Sequence, residues 1–272
     1  MSADTPPLPV DPIIVAGPPR TGVRLLAAIL DGHHACASGP ELPFLLTMAR
    51  QWRDIETTLG ANHARHYLLS SGQTRENFRS SMLSLVMPHV ASAGKTRFVH
   101  HSFGAAVSLD LLAELFPDAR FVFMLRDPRD VVRSLLSCDW RNPQDGTPLP
   151  YTRDAGAAAK LWTDFMGLAL RSVPALEAKR RLMLLRYEEL CVHPVPTLER
   201  LGRFLGESPP VARVGTESAR IVTATTGDPH PALRTGDVDA RGVGAWRAAL
   251  EPGAVVRVEQ VTAALRSRLG YG

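Results

Sequence analysis

Cysteine is scarce in this sequence. Among 272 residues there are only three, Cys36, Cys138 and Cys191, and they lie far apart. No Cys-x-x-Cys pair accompanies them, and no two histidines have the His-x3–5-His spacing of a zinc site. A disulfide framework needs an even set of cysteines, and a structural zinc site needs closely spaced Cys and His ligands. The sequence therefore argues against both, and we expect no bound metal.

Long apolar runs and clustered positive charge are also missing. No apolar stretch approaches the roughly 20 residues that a membrane helix requires, and the first residues lack the basic and apolar regions of a signal peptide. The formal net charge is +4, but no basic run is interleaved with aromatic residues. We therefore expect a cytoplasmic protein that binds neither membrane nor nucleic acid. A homodimer is left open.

The stretch that organises the chain is a short apolar run followed by a glycine-bearing loop. The β-branched run Ile13-Ile-Val15 predicts a buried parallel strand. It breaks at Gly17-Pro-Pro19, and an apolar-rich helix is predicted from about Thr21. A strand, a glycine loop and a helix N-terminus in this order present backbone N–H groups and a positive dipole end to a phosphate.

The loop matches only half of a nucleoside-triphosphate P-loop. Gly17 and Gly22 have the spacing of G-x-x-x-x-G-K-[ST], but Val23-Arg24 stands where the lysine and the hydroxyl residue belong. Without that hydroxyl the loop lacks its usual Mg²⁺ ligand, and Arg20 inside the loop supplies the cation instead. A metal-free anion loop of this kind suits a transferring group that carries less charge than a γ-phosphoryl, such as sulfuryl.

Two segments together carry a resemblance to a known family. The loop is similar to the 5′-phosphosulfate loop, P-[KR]-[ST]-G-[ST], of sulfotransferases that use 3′-phosphoadenosine 5′-phosphosulfate (PAPS). The segment from Arg126 to Ser134, RDPRDVVRS, resembles their 3′-phosphate motif, R-[DN]-P-x-D-x-x-x-S. The resemblance runs from about Ile13 to the C-terminus. It implies PAPS as sulfuryl donor, 3′-phosphoadenosine 5′-phosphate (PAP) as product, no metal, and a hydroxyl or amine of a small-molecule or natural-product acceptor.

The predicted fold class is α/β. Strands alternate with helices along the chain, which predicts a P-loop-like three-layer fold with a central parallel sheet and helices on both faces. We expect residues 1–11 to be a disordered leader and residues 12–272 to form one domain. The predicted strands are 13–15, 97–101, 120–125 and 181–186. The predicted helices begin near 21 and cover 42–53, 107–115, a segment from 127, 154–172, 196–205 and 252–269, with helical tendency over 54–94 and breaks at 60, 70–72 and 91–94.

The resemblance also implies which residues bind the donor. Those expected around the 5′-phosphate are Gly17, Pro19, Arg20, Thr21, Gly22, Val23 and Arg24. Arg126 and Ser134 are expected to bind the 3′-phosphate, and Tyr187 in Arg-Tyr-Glu-Glu-Leu is expected to lie against adenine. The segment that begins Arg241-Gly242 resembles the C-terminal R-x-G-x-x-G-x-W element that closes over the 3′-phosphate, with a spacing that differs by one residue. Residues 207–245 as a whole have little periodicity and are expected to be functional or mobile.

Catalysis needs a cation at the leaving oxygen and a base for the acceptor proton. By the resemblance, Arg20 is the cation. Glu41 is the first candidate base, because Gly-Pro-Glu41 is similar to the segment that carries the base in tyrosylprotein-type members. His101 is the second, at the position of either a catalytic histidine or a lysine that aids the leaving group.

Other interpretations of the same residues remain open. The glycine loop can be a simple turn before a helix, Arg126 can pair with Asp127, Ser134 can bond within its helix, and Glu41 can cap the next helix. A kinase-like phosphotransferase is one alternative function, although no metal-binding carboxylate motif follows a strand. A nucleotide-binding module without turnover is the other, because Val23 replaces the usual Thr or Ser.

Overall fold

A parallel five-stranded sheet forms the centre of the computed structural model, which describes residues 11–210 and 240–272. Its strands are β1 (Ile13–Ala16), β2 (Cys36–Ser38), β3 (Arg97–Ser102), β4 (Arg120–Leu125) and β5 (Leu182–Arg186). They are ordered β2-β3-β1-β4-β5, and every neighbouring pair is parallel. The four predicted strands are confirmed, and all carboxyl ends point to one edge of the sheet.

Helices cover both faces of this sheet. They are α1 (Val23–Asp31), α2 (Pro43–His66), α3 (Ser71–Ser92), α4 (Leu109–Leu115), α5 (Pro128–Leu136), α6 (Ala155–Ala169), α7 (Val173–Ala178), α8 (Tyr187–Val192), α9 (Pro194–Leu205), α10 (Trp246–Ala249) and α11 (Pro252–Arg268). Short 3₁₀ turns lie at Gly104–Val107, Pro150–Thr152 and Ala240–Gly242. No helix in the described ranges combines the length and the apolarity that crossing a bilayer requires.

Two apolar layers sandwich the sheet, as the strand pattern predicts. Side chains of α1, α8 and α9 pack with Val15 and Val122 on one face. Those of α2 to α7 and α11 pack with Ile14 and Phe121 on the other. Successive strand residues point to opposite faces, so fully apolar strands require cover on both. The three-layer α/β prediction is confirmed.

The crevice for a ligand follows from the connections. The chain leaves β1 through α1 on one face and leaves β4 through α5 on the other. In open parallel sheets, ligands bind outside the carboxyl ends of neighbouring strands whose connections leave on opposite faces. Here those strands are β1 and β4, and the loop that contains Arg20 therefore lies next to Arg126.

Several element predictions were wrong. Strand β2 was not predicted, because it has three residues and no β-branched side chain; its pairing with β3 creates it. Helix α2 runs through the expected break at Gly60, since one glycine costs a helix only about 1 kcal/mol. The helix expected over 154–172 is α6, which ends at Ala169. Helix α7 was not predicted, and Pro174 lies in its first turn, where a missing N–H does no harm. The short helix α8 was not predicted either.

Residue 11, the last of the expected leader, belongs to the folded part of the structure. Asp11 is 1% exposed, and its carboxylate forms an ion pair with Arg79 of α3 and accepts a hydrogen bond from the Asp118 N–H. The rest of that leader, residues 1–10, lies outside the described residues. So does 211–239, the greater part of the segment expected to be functional or mobile.

Candidate active site

The loop after β1 is shaped by its own backbone and by a buried threonine. The Thr21 hydroxyl donates to the Pro18 carbonyl at 2.7 Å, and the Thr21 N–H points to the same oxygen at 3.3 Å. A Cβ on Gly17 would come within 2.7 Å of the Thr21 hydroxyl and 2.8 Å of the Met124 carbonyl. Arg20 has φ of 69° and Gly22 has φ of 98°, both in the left-handed region. Thr21 thus shapes the loop from inside, next to buried Pro19.

Val23 and Arg24 are not the residues usual at these loop positions in the sulfotransferases that the sequence resembles, and the structure shows where their side chains lie. Val23 is 8% exposed and belongs to the apolar layer under α1. It therefore offers a ligand only its backbone N–H. Arg24 is half-buried and lies close enough to Arg20 and His101 to lower the pKa of each. Its charge is therefore directed at the crevice.

Arg126 is held in one orientation directly after β4. Its Nη1 donates to the Arg20 carbonyl and its Nη2 to the Gly242 carbonyl, each at 2.8 Å. Its guanidinium lies over the Tyr187 ring, 4.0 Å from the ring centroid. Arg126 thus joins the loop after β1, the first residue of α8 and the C-terminal part of the chain.

Tyr187 fills the space between these three segments. A Cβ on Gly22 would lie 2.7 Å from the Tyr187 Cδ2, and one on Gly242 would lie 2.8 Å from its hydroxyl. Because Arg126 covers one face of the ring, an adenine could stack only on the other. Both glycines are therefore required by close approach to this one side chain.

Ser134 contacts Arg20 across the crevice. It lies on α5, is 5% exposed, and its hydroxyl accepts a hydrogen bond from Arg20 Nε at 2.9 Å. The two motifs found in the sequence therefore touch through the cation expected at the leaving oxygen. The structure brings together Arg20, Arg24, Arg126 and Ser134.

The electrostatics of this cluster call for an anion. Burial lowers the pKa of Arg20, and the positive charges of Arg126 and Arg24 lower it further. The positive charges of Arg126 and Arg24 repel that of Arg20, and a phosphate or sulfate bound among them relieves this repulsion. Within the described residues, no group of three or more His, Cys, Asp or Glu side chains could hold a metal ion.

His101 lies in the same crevice at the end of β3. It is 8% exposed, and its Nδ1 lies 3.3 Å from the Ser38 hydroxyl. Burial, and then the charge of Arg24, lowers the pKa of His101 to about 4. The imidazole is therefore neutral near pH 7 and can accept a proton.

Glu41 is half-exposed and follows β2 by three residues. Since β2 and β3 are paired neighbours, the two candidate bases lie at adjacent strand ends. His89 of α3 supports this turn from below, with its Nε2 2.9 Å from the Ser38 carbonyl.

The sequence did not indicate how the C-terminal part of the chain is attached to α5. Arg241 is exposed and Gly242 contacts Arg126, but the anchoring residues are Asp130 and Arg129 of α5. The Arg129 guanidinium lies 4.3 Å from the centroid of the Trp246 ring. In the sequence, Asp130 was marked only by its position inside the 3′-phosphate motif. A motif position does not show which group the carboxylate binds.

Known proteins resemble this chain in both sequence and structure. It is 29% identical to protein-tyrosine sulfotransferase 1 of Danio rerio over 198 residues, which cover 71% of this chain and 52% of that protein. It is 25% identical to nodulation protein NoeE of Sinorhizobium fredii over 288 aligned positions, which cover 100% of this chain and 68% of that protein. The chain thus spans about half the length of the tyrosine sulfotransferase it matches.

The fold is that of solved sulfotransferase domains. The sulfotransferase domain from the curacin biosynthetic pathway matches with a TM-score of 0.60 and 20% identity, covering 97% of this chain and 99% of that one. The sulfotransferase domain of the Synechococcus PCC 7002 olefin synthase matches with a TM-score of 0.58 and 19% identity, covering 94% and 95%. A sequence model of the sulfotransferase family matches residues 12–210, well over half of the chain, and the chain therefore belongs to that family.

Proposed function

We propose that this protein transfers a sulfuryl group from PAPS to a hydroxyl or amine of a small-molecule acceptor. The observation that carries the proposal is the cluster of Arg20, Arg24 and Arg126 where β1 and β4 end. These cations lie beside a loop that begins a helix, and the charges of Arg24 and Arg126 both lower the pKa of Arg20. Such a site suits the 5′- and 3′-phosphates of one nucleotide, which is a polyanion.

The residues present support a simple division of roles. Arg20 faces the bridging oxygen of the 5′-phosphate, where negative charge develops as the S–O bond breaks and PAP leaves. The acceptor oxygen or nitrogen forms the new bond to sulfur and gives its proton to a base, either Glu41 or His101. Arg126, with its guanidinium fixed by two carbonyls and the Tyr187 ring, binds the 3′-phosphate.

An aromatic pair supports an acceptor with an apolar body. Phe103 directly follows β3, is 43% exposed, and lies 6.2 Å from the Phe165 ring of α6. It stands two residues after His101, so an apolar or aromatic alcohol could pack beside the candidate bases. We therefore propose a phenol or an apolar alcohol as the acceptor class.

Calorimetry with PAP and AMP tests the proposal. PAP should bind far more tightly than AMP, and EDTA should change neither affinity. Arg126→Ala should remove most of this preference while the protein stays folded. Equal affinities for PAP and AMP in the wild type would contradict the proposed sulfotransferase function. A requirement for Mg²⁺ in nucleotide binding would favour a kinase-like phosphotransferase.

A transfer assay then separates an enzyme from a silent binding module. Incubation with labelled PAPS and a panel of phenols, apolar alcohols and tyrosyl peptides should give a sulfated phenol or alcohol. Tight PAP binding with no transfer to any acceptor would mean a module without turnover. Transfer only to the tyrosyl peptides would contradict the small-molecule acceptor.

A further inference from the structure

A buried carboxylate on α5 holds the C-terminal strap, which we define as residues 240–246. Asp130 is 1% exposed. Its Oδ2 accepts the Gly244 N–H at 2.7 Å and its Oδ1 accepts the Trp246 N–H at 3.0 Å. Each carboxylate oxygen thus binds one strap amide, and hydrogen bonds to an ionised acceptor are stronger than neutral ones.

Asp130 is not needed to cap its own helix. It lies three residues after Asp127, the N-cap of α5, where an acidic side chain commonly reaches back to the N-cap N–H. That N–H is instead bound by Glu188 Oε1 at 2.8 Å, and the Asp127 side chain itself accepts from the Arg129 N–H. Since Glu188 takes over the capping bond, the Asp130 carboxylate can serve the strap.

The strap in turn fixes the arginine assigned to the 3′-phosphate. Two residues before Gly244, the Gly242 carbonyl accepts a hydrogen bond from Arg126 Nη2 at 2.8 Å. A Cβ on Gly242 would approach this nitrogen to 3.0 Å and the Tyr187 hydroxyl to 2.8 Å. A small displacement of the strap would therefore alter how the guanidinium is held.

We propose that Asp130 is a positioning residue for recognition of the donor's 3′-phosphate. By holding the amides of Gly244 and Trp246, it keeps the Gly242 carbonyl against Arg126 and so keeps the guanidinium in the orientation that binds this phosphate. The proposal rests on the proposed function. It predicts that Asp130 affects nucleotides with a 3′-phosphate and spares those without one.

The test compares PAP with AMP in the variant Asp130→Asn. Asparagine has almost the same shape, but one of its two terminal groups is a donor and cannot accept a strap N–H. PAP affinity should fall about tenfold or more, as expected for the loss of a hydrogen bond to a charged group. AMP affinity should stay the same, and amide hydrogen exchange at Gly244 and Trp246 should become faster.

Two further variants make the test selective. Asp164→Asn is the matched control, because Asp164 is an exposed residue of α6 whose side chain pairs only with Lys160 among the contacts described here; it should change neither affinity nor exchange. Gly242→Ala disturbs the same strap from the side of Arg126 and Tyr187 and should weaken PAP more than AMP, which covers the case in which Asp130→Asn folds poorly.

Each outcome has one meaning. An unchanged preference for PAP over AMP in folded Asp130→Asn, or an equal loss for both nucleotides, would overturn the positioning role. Unchanged exchange at Gly244 and Trp246 would overturn the holding contact itself. A failure of the proposed function is visible separately, since it requires the wild type to show no preference for PAP.

Discussion

Arg20 and Arg126 in the candidate site donate hydrogen bonds to neutral groups. Arg20 Nε donates to the Ser134 hydroxyl, and Arg126 donates to two backbone carbonyls. Such partners orient a guanidinium without neutralising it, so most of its charge remains available to an anion. At the residue scale, this explains why burial and mutual repulsion lower the pKa of Arg20.

Removal of Arg20 should slow turnover far more than it weakens donor binding. If Arg20 stabilises charge that develops only in the transition state, Arg20→Ala should lower kcat by about 100-fold or more, and Arg20→Lys should retain part of the activity. Steady-state kinetics with PAPS and the best acceptor checks this. Unchanged kcat in the alanine variant would assign the role to another cation, for which Arg24 is the candidate.

The two candidate bases should differ in importance. Glu41→Gln, nearly the same shape, should abolish transfer to an alcohol while PAP still binds, because an alcohol keeps its proton until a base takes it. His101→Ala should lower the rate more modestly. Transfer assays with an alcohol and a phenol check the ranking, since a phenol depends less on a base. An active Glu41→Gln enzyme together with an inactive His101→Ala enzyme would reverse the assignment.

Two adjacent buried histidines should make the protein sensitive to acid. Burial, and then His101, lowers the pKa of His100 from its ordinary 6.5 to about 3, and its Nε2 has no hydrogen-bond partner among the described residues. The unfolded chain binds a proton below pH 6.5 and the folded protein does not, so stability is lost as the pH falls from 6.5 towards 3.

The variant His100→Leu should lose less stability than the wild type as the pH falls. Between pH 6.5 and about pH 5, one such histidine accounts for about 2 kcal/mol of the free energy of unfolding. Urea unfolding at about pH 7.5 and about pH 5 should therefore show a smaller difference in the variant than in the wild type. The exposed His66→Gln serves as control and should leave the difference unchanged. If His100→Leu shows the same stability difference between the two pH values as the wild type, the acid sensitivity does not come from His100.

At the scale of elements, the strand–loop–helix unit from β1 to α1 depends on one glycine for two reasons. Gly22 has φ of 98°, which side-chain-bearing residues rarely adopt, and it touches the Tyr187 ring. The first property belongs to the loop alone. The second belongs to the contact between the loop and α8.

Alanine at Gly22 should therefore cost more than alanine at a glycine with strain alone. Gly94 is the matched control, with φ of 66° and open space where a Cβ would stand. Left-handed backbone at a non-glycine residue costs roughly 1–2 kcal/mol, so Gly94→Ala should lose about that much stability. Gly22→Ala should lose more and should also weaken PAP binding. Thermal unfolding measures the loss of stability, and calorimetry measures PAP binding. Equal losses of stability in the two variants would show that the Tyr187 ring moves aside at no energetic cost.

At the scale of the whole molecule, a buried ion pair joins parts of the chain that are far apart in sequence. Asp11, just before β1, contacts Arg79 of α3 at 2.5 Å and accepts from the Asp118 N–H, just before β4, at 2.7 Å. It therefore connects the amino ends of two central strands to a helix on one face. This is the side of the sheet opposite the site.

Loss of Asp11 should destabilise the protein without changing its chemistry. Asp11→Ala removes the carboxylate that accepts from Arg79 Nε and from the Asp118 N–H, while Glu76 still accepts from Arg79 Nη1 at 2.9 Å. A buried donor that loses its acceptor costs roughly 1–3 kcal/mol, and the loss of stability should be at least of that order. The exposed pair Lys160–Asp164 is the control, and Asp164→Ala should cost less than about 1 kcal/mol. Chemical denaturation measures both. A cost for Asp11→Ala no larger than that of the control would contradict this role.

The sequence by itself determined the order of strands and helices and the two arginine motifs. Those features are local: apolar β-branched runs such as Ile13-Ile-Val15 are read from neighbouring residues, and the spacing of Gly17, Arg20 and Gly22 sets the loop. The resemblance assigned Arg20 and Arg126 to the two phosphates of one donor, and the structure brings the two residues into contact. The sequence failed at β2, a three-residue strand whose residues have no strand preference of their own.

Only the tertiary structure decided which groups bond to one another. The contacts of Ser134 with Arg20, of Asp130 with Gly244 and of Asp11 with Arg79 each join residues far apart in the chain. A hydroxyl, a carboxylate and a backbone N–H have many equivalent partners in a sequence. The strand order and the packing of the helices and the strap bring particular partners within reach of each group, and that choice is made by the three-dimensional arrangement.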